Sequence, residues 1–251
     1  MYFIKKVILL VPISLIAIGC SSLDKTNNAT PTPQKPAHSS DTQPQEQLKE
    51  MVKEMLHDNQ KFVSSHQESY FDVFKNKETP RATVVACADS RFHTHSIDQT
   101  PDNDIFFVRN IGNQLATAEG SIEYGVEHLK TPLLMFIGHT ACGAVKAASS
   151  DFSTLSEPIK SELHHLQLVK KKQVSDDELH ANVIQNVHNQ VAKAMVKFKD
   201  KVKSGEVKII GAVYDFKNAF GKGHGKLVLV NVNNEKSEDS IKAFKEYILK
   251  K

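Results

Sequence analysis

A chain of 251 residues with 40% hydrophobic content is long enough to bury one sizeable core. Its 32 basic and 29 acidic residues give a net charge of +3. With no basic block and no aromatic–basic interleaving, that balance excludes nucleic acid as a partner.

Met1 to Gly19 carries Lys5 and Lys6 and then an almost unbroken apolar run from Val7 to Ile18. The run is too short to span a bilayer comfortably and reads as the apolar core of a signal peptide over residues 1–19. Its removal leaves 30 basic against 29 acidic residues. The junction Ala17-Ile18-Gly19-Cys20 resembles the bacterial lipobox, in which the cysteine is diacylated and becomes the first residue. Two acyl chains give a lasting anchor. Ser21 follows in place of Asp, which resembles the outer-membrane sorting pattern of Gram-negative bacteria. The expectation is a lipid-anchored protein of the bacterial cell envelope, on the periplasmic side, held through Cys20. Residues 20–44 are rich in Ser, Thr, Asn, Pro and Gln, cannot bury enough surface to order themselves, and read as a tether.

A domain over residues 45–251 follows. Leu48, Met51, Val52, Met55 and Leu56 recur at helical spacing, and Phe62, Tyr70, Phe71, Val73 and Phe74 continue an apolar face to Lys75. Thr83–Ala86, Ile105–Val108, Leu133–Ile137 and Lys208–Val213 are short apolar runs suited to parallel strands, with Lys226–Val232 as an edge strand. Helices are expected over Gln114–Leu129 and Ile159–Lys172. A long helix carries Val183, Val187, Val191, Met195 and Phe198, and an amphipathic one closes the chain over Ser237–Lys250. Alternation of strand and helix argues for a doubly wound α/β sheet.

In such sheets chemistry gathers beyond the carboxyl ends of the strands. The first strand ends in Cys87-Ala88-Asp89-Ser90-Arg91, where alternating positions offer a thiol, a carboxylate and a guanidinium. The third ends in Gly138-His139-Thr140-Ala141-Cys142-Gly143-Ala144, with Cys142 at the opening of a helix whose dipole favours a thiolate. Cys87, His139 and Cys142 together make a two-sulfur, one-nitrogen set, suited to a zinc ion with one position open. Other readings exist: a core cysteine beside a surface ion pair, or a Cys87–Cys142 disulfide in an exported protein. Neither uses His139 together with the Asp–Arg pair. His93 and His95 follow that pair and could line the cleft, whereas Gly221-Lys222-Gly223-His224-Gly225 follows a strand but opens no helix, so it reads as a flexible turn.

Cys-Ala-Asp-Ser-Arg, followed about fifty residues later by Gly-His-Thr-Ala-Cys-Gly-Ala, resembles the signature of the β-class carbonic anhydrases. Phe107 to Asn113, Ser121 to Val126 and Val207 to Asp215 resemble further segments of that family in order and spacing. The resemblance implies the β-carbonic-anhydrase fold: a four-stranded parallel sheet with an antiparallel edge strand, flanked by helices, with an N-terminal helical arm that wraps a neighbouring subunit in a homodimer or tetramer. It implies one zinc per chain on Cys87, His139 and Cys142, hydration of carbon dioxide to bicarbonate and a proton, and the paired role of Asp89 and Arg91. Asp89 accepts the nucleophile's hydrogen bond and Arg91 keeps it ionised and aimed. Phe106, Ile111 and Tyr124 match apolar cleft positions, with Gly143 beside the metal. Glu78 stands where the family usually has Gln, and a carboxylate cannot donate as an amide does unless protonated. The bicarbonate-inhibited branch, in which the aspartate can become a fourth metal ligand, uses a Trp where this chain has Val84 and contains no Trp at all; the open form, with Asp89 off the metal, is therefore expected. A catalytically silent zinc-binding scaffold, or a relative acting on carbon disulfide or carbonyl sulfide, would share the same ligands.

Overall fold

Four apolar runs rich in Val, Ile and Leu pair in parallel as β1 (Ala82–Cys87), β2 (Ile105–Asn110), β3 (Leu133–His139) and β4 (Lys208–Asp215). The fifth, β5 (Lys226–Val232), lies antiparallel on β4, and the strand order is β2-β1-β3-β4-β5. This is the expected α/β architecture. The computed structural model describes residues 44–73 and 75–250. The expected signal segment 1–19, Cys20 and, apart from Pro44, the tether 20–44 lie outside the described residues.

Each parallel strand runs one or two residues past the apolar stretch that marks it. The added residues are polar or small yet keep their ladder partners: Cys87 pairs with Asn110 and His139 with Tyr214. Strand order reverses direction at β1, which lies between β2 and β3, so the ends of β1 and β3 border the topological switch point.

One sheet face is covered by α6 (Asp176–Lys197), whose start is fixed by a capping box between Ser175 and Glu178. Val183, Val187, Val191 and Ala194 lie buried along it at helical spacing. On the opposite face Val84, Ala86, Ile137 and Ala212 are buried, but Ile105, Phe107, Met135, Leu227 and Leu229 are only partly covered.

The helix expected over Gln114–Leu129 begins five residues late, as α3 (Glu119–Glu123), and continues as a π-helical turn over Tyr124–His128. The delay has a local cause. Gln114 N–H donates to Asn110 Oδ1 (2.7 Å) and Leu115 N–H to Gln190 Oε1 (2.9 Å), so these amides are committed to side chains. The π turn is seated against β1: a Cβ on Gly125 would lie 2.2 Å from Thr83 Oγ1. Thr131 bonds both sides of this contact, to Thr83 Oγ1 (2.7 Å) and Gly125 O (3.1 Å).

After α4 (Gly143–Ala148), α5 spans Glu157–His164, whereas the sequence pattern suggests Ile159–Lys172. Leu166 is fully buried and Gln167 takes a left-handed φ of 51°, which turns the chain away from the helix axis. α7 (Lys199–Ser204) and α8 (Glu238–Leu249, capped by Ser237) complete the fold.

The N-terminal arm is two helices, α1 (Pro44–Ser65) and α2 (Glu68–Asp72), divided at Gln67, whose ψ of 157° is extended. Taken by itself, α1 buries none of its residues, and Leu48, Val52, Met55 and Leu56 line an exposed apolar stripe. Glu46–Lys49 and Glu50–Lys53 pair along its polar side.

Candidate metal centre

The ends of β1 and β3 and the turn into α4 bring Cys87, His139 and Cys142 together. One donor atom from each lies within 4.8 Å of the others, and all three residues are buried. The two sulfurs stand 3.9 Å apart, unbonded. Two thiols this close cannot both ionise easily. The hydrogen bond from Cys142 pushes Cys87 down to about 4, with help from His139 and from the Gly112 backbone amide. Cys142 is pushed well up by donating that bond and by burial, offset in part by the Val145 and Ala144 amides at the start of α4.

His139 shows what the cluster is shaped to hold. Its Nδ1 lies 3.1 Å from Thr140 O, and because a carbonyl only accepts, Nδ1 carries the proton. Nε2 is therefore a lone-pair donor, and it is buried with no hydrogen-bond partner among the described residues. An orphaned imidazole nitrogen beside two sulfurs, one readily ionised, is a donor set that fits a zinc-type cation.

Asp89 and Arg91 stand at the rim. Arg91 grips the carboxylate with Nε to Oδ1 (2.8 Å) and Nη2 to Oδ2 (2.7 Å), and its backbone N–H adds a third bond (3.0 Å). This grip holds the Asp89 carboxyl well below the usual carboxylate range and raises the Arg91 guanidinium. Asp89 Oδ2 is 3.7 Å from His139 Nε2, yet Asp89 is not a member of the three-donor cluster.

The expected cleft residues are spread more widely. Phe106 and Tyr124 face each other with ring centroids 5.8 Å apart, and Tyr124 also stacks on His128 at 4.6 Å. Ile111 packs on the cluster of Ala148, Phe152, Leu163 and Leu166. Gly143 opens α4 beside Cys142, with open space where a Cβ would be. Glu78 is exposed in the segment before β1. His93 Nε2 lies 3.1 Å from Ser90 O, and His95 is exposed in a short turn.

Two residues that the sequence did not single out shape the site. Phe216, just past β4, meets the His139 ring edge-on at 5.5 Å and carries the Arg91 guanidinium over its face at 4.8 Å. Arg109 donates to Cys87 O (3.2 Å) and Asp89 O (2.6 Å), bracing the backbone on which both side chains stand. A single Phe in a loop carries no sequence signal. Arg109 lay inside a recognised segment, but backbone bracing is invisible without coordinates.

A carbonic anhydrase family profile matches residues 82–222. A carbonic anhydrase of Synechococcus elongatus is 25% identical over 187 residues, spanning 67% of this chain and 68% of the relative. Among solved structures, the β-carbonic anhydrase CcaA superposes with a TM-score of 0.62 at 19% identity, over 74% of this chain and 88% of that one. One of two tetrameric β-carbonic anhydrases of Sordaria macrospora gives 0.60 at 21% identity, over 72% and 97% of the two chains. At these identities the structural likeness is one of fold.

Proposed function

The chain belongs to the β-class carbonic anhydrases, and on that premise we propose that it catalyses the reversible hydration of carbon dioxide to bicarbonate and a proton, with one zinc held by Cys87, His139 and Cys142. The observation that carries this reading is the orphaned His139 Nε2, buried against two sulfurs and bordered by an ionised carboxylate. Zinc, when bound, supplies the Lewis acidity that makes hydroxide available near neutral pH.

The chain's own residues do the rest. Asp89, an acceptor only, takes the hydrogen bond of the nucleophile and so turns its lone pair toward the substrate. Arg91 keeps Asp89 ionised and, with both carboxylate oxygens engaged, holds it off the metal. By resemblance to the family, Phe106, Ile111 and Tyr124 would supply apolar surface to a substrate without a dipole, and Gly143 has open space where a Cβ would be, beside Cys142. Glu78 lacks the donor that an amide would bring to orient substrate. Assay of zinc-loaded, full-length protein for carbon dioxide hydration tests the reading; an inactive zinc-loaded protein refutes it.

The active unit is a homodimer or a tetramer. The support is the exposed apolar stripe on α1 and, independently, the half-covered second face of the sheet, both of which another copy would bury. Sedimentation showing an active monomer would remove this part. The Lys5-Lys6 start, the apolar run and the Gly19-Cys20 junction support an envelope lipoprotein anchored through acylated Cys20 on the periplasmic side, with Ser21 favouring the outer membrane. Mass spectrometry of the mature N-terminus decides it.

A further inference from the structure

Arg91 joins the ends of three strands. Its guanidinium donates to both oxygens of Asp89 beyond β1 and, through Nη2, to Ala141 O (3.2 Å) beyond β3. Its flat face lies over the ring of Phe216, the first residue past β4, 4.8 Å from the centroid. Yet the Arg91 side chain is 51% exposed. Bonds along the edge of a half-exposed guanidinium fix its plane poorly, because water competes for each of them. A ring on its face resists rocking and adds a cation–π attraction.

Phe216 is itself firmly seated. Tyr214 backs it edge-on at 5.0 Å, and the buried Phe92 backs Tyr214 at 4.9 Å. The Phe216 carbonyl accepts a hydrogen bond from His224 Nδ1 (2.8 Å). The next amide, Lys217 N–H, donates to Asp215 Oδ1 (3.2 Å) and Thr140 Oγ1 (3.3 Å). Asp215 is fully buried and also accepts the amides of Ala219 (3.0 Å) and Phe220 (2.9 Å). The chain supplies its own comparison. Arg81 grips Asp104 with the same two-pronged pair, but its side chain is 80% exposed and no ring covers it among the described residues.

We propose that Phe216 is a positioning residue of the Asp89–Arg91 pair: its ring clamps the Arg91 guanidinium in the plane that keeps both Asp89 oxygens engaged, and so aims the carboxylate. The inference rests on the reading of Asp89 as the acceptor of the nucleophile's hydrogen bond. Asp89 Oδ2 lies 3.7 Å from His139 Nε2, so a small rotation of the carboxylate changes what it faces. The turn after β4 thereby gains a part in the site, because His224 and Asp215 hold the backbone from which the clamp projects.

The test uses the full chain, zinc-loaded and carrying isotope-labelled arginine. The chain has three arginines, Arg81, Arg91 and Arg109, so an NMR spectrum holds three Nε–H signals, and Arg91→Lys identifies the one required. Pentafluorophenylalanine at position 216 keeps the ring's shape and reverses the charge of its face. Phe216→Leu removes the ring, and Phe216→Tyr keeps it. In the first two, the Arg91 signal should exchange with water about 2–30-fold faster and hydration should slow by a similar factor. Zinc should stay at one per chain, Phe216→Tyr should match the wild type, and the Arg81 signal should not move. If Phe216→Leu does not fold, the fluorinated ring decides alone. An unmoved Arg91 signal, or a change shared by Arg81, overturns the clamp. Faster exchange at an unchanged hydration rate overturns its part in aiming Asp89, and loss of zinc makes Phe216 a support of His139 instead. An inactive zinc-loaded wild type overturns the hydration reading itself, and the Arg91 signal then still decides the clamp.

Discussion

Asp89→Asn separates a catalyst from a metal holder. The Asp89 carboxylate accepts three hydrogen bonds from Arg91, two of them from the guanidinium at 2.7 and 2.8 Å. Asn replaces one acceptor oxygen with an NH2 group, so either orientation sets a donor against a guanidinium donor and breaks the bidentate pair. The Asp89 side chain is 18% exposed and that of Arg91 51%, so solvent screens the pair, and the loss in folding stability should be no more than about 1 kcal/mol. The three metal donors are untouched, and zinc should remain at one per chain. Activity should fall more than stability does. A misaimed group behind the nucleophile costs about 10–100-fold, or about 1.4–2.7 kcal/mol of barrier. Stopped-flow hydration with a pH indicator, alongside metal content on the same sample, measures both. Full activity at full zinc would make the Asp89–Arg91 pair structural. Loss of zinc would make Asp89 a ligand, contrary to its place outside the donor cluster.

Other outcomes follow from the same geometry. Cys142→Ser should abolish zinc binding, read as metal per chain, and remove the rise in melting temperature that zinc gives the wild type. Gly125→Ala should cost about 1–3 kcal/mol in denaturant unfolding, because the new methyl meets Thr83 Oγ1 at 2.2 Å and the π turn must lift from β1. His188 gives a pH signature. Burial first, and then the Lys236 charge, push its imidazole down to about 4. The unfolded chain takes up this proton below about pH 6.5 and the fold does not. Stability should therefore fall as pH drops from about 6.5 to about 4, by up to about 2 kcal/mol once partial exposure is allowed for. His188→Gln should flatten that part of the slope when denaturant midpoints are compared at neutral and acid pH.

The sheet was legible because burial on both faces leaves runs such as Val84-Val85-Ala86 and Leu133 to Ile137 with no polar interruption. The donor set was legible because its two halves fall where such runs stop. The error at Gln114 has the opposite origin: the residues have helical spacing, but their amides are claimed by Asn110 and by Gln190, 75 residues away in sequence. No local pattern announces a partner at that distance. Leu166 likewise looks like one more apolar position on a helix, and only the core it fills shows why the chain turns there. Phe216 escaped for a related reason. A ring in a loop gains meaning only from what β1 and β3 bring beside it.

The two sulfurs lie 55 residues apart along the chain. Between them run β2, α3, the π turn and all of β3, so a cation seated on both sulfurs would act as a clasp on the largest closed loop around the site. A closure of that length removes about 4 kcal/mol of conformational freedom from the unfolded chain, on the chain-entropy account of cross-links. The strand with most to gain is β2, which is held on one side only, by β1. Clasped, it can fray only by releasing the cation or by bowing out between two fixed ends, and opening of the edge becomes coupled to occupancy of the centre.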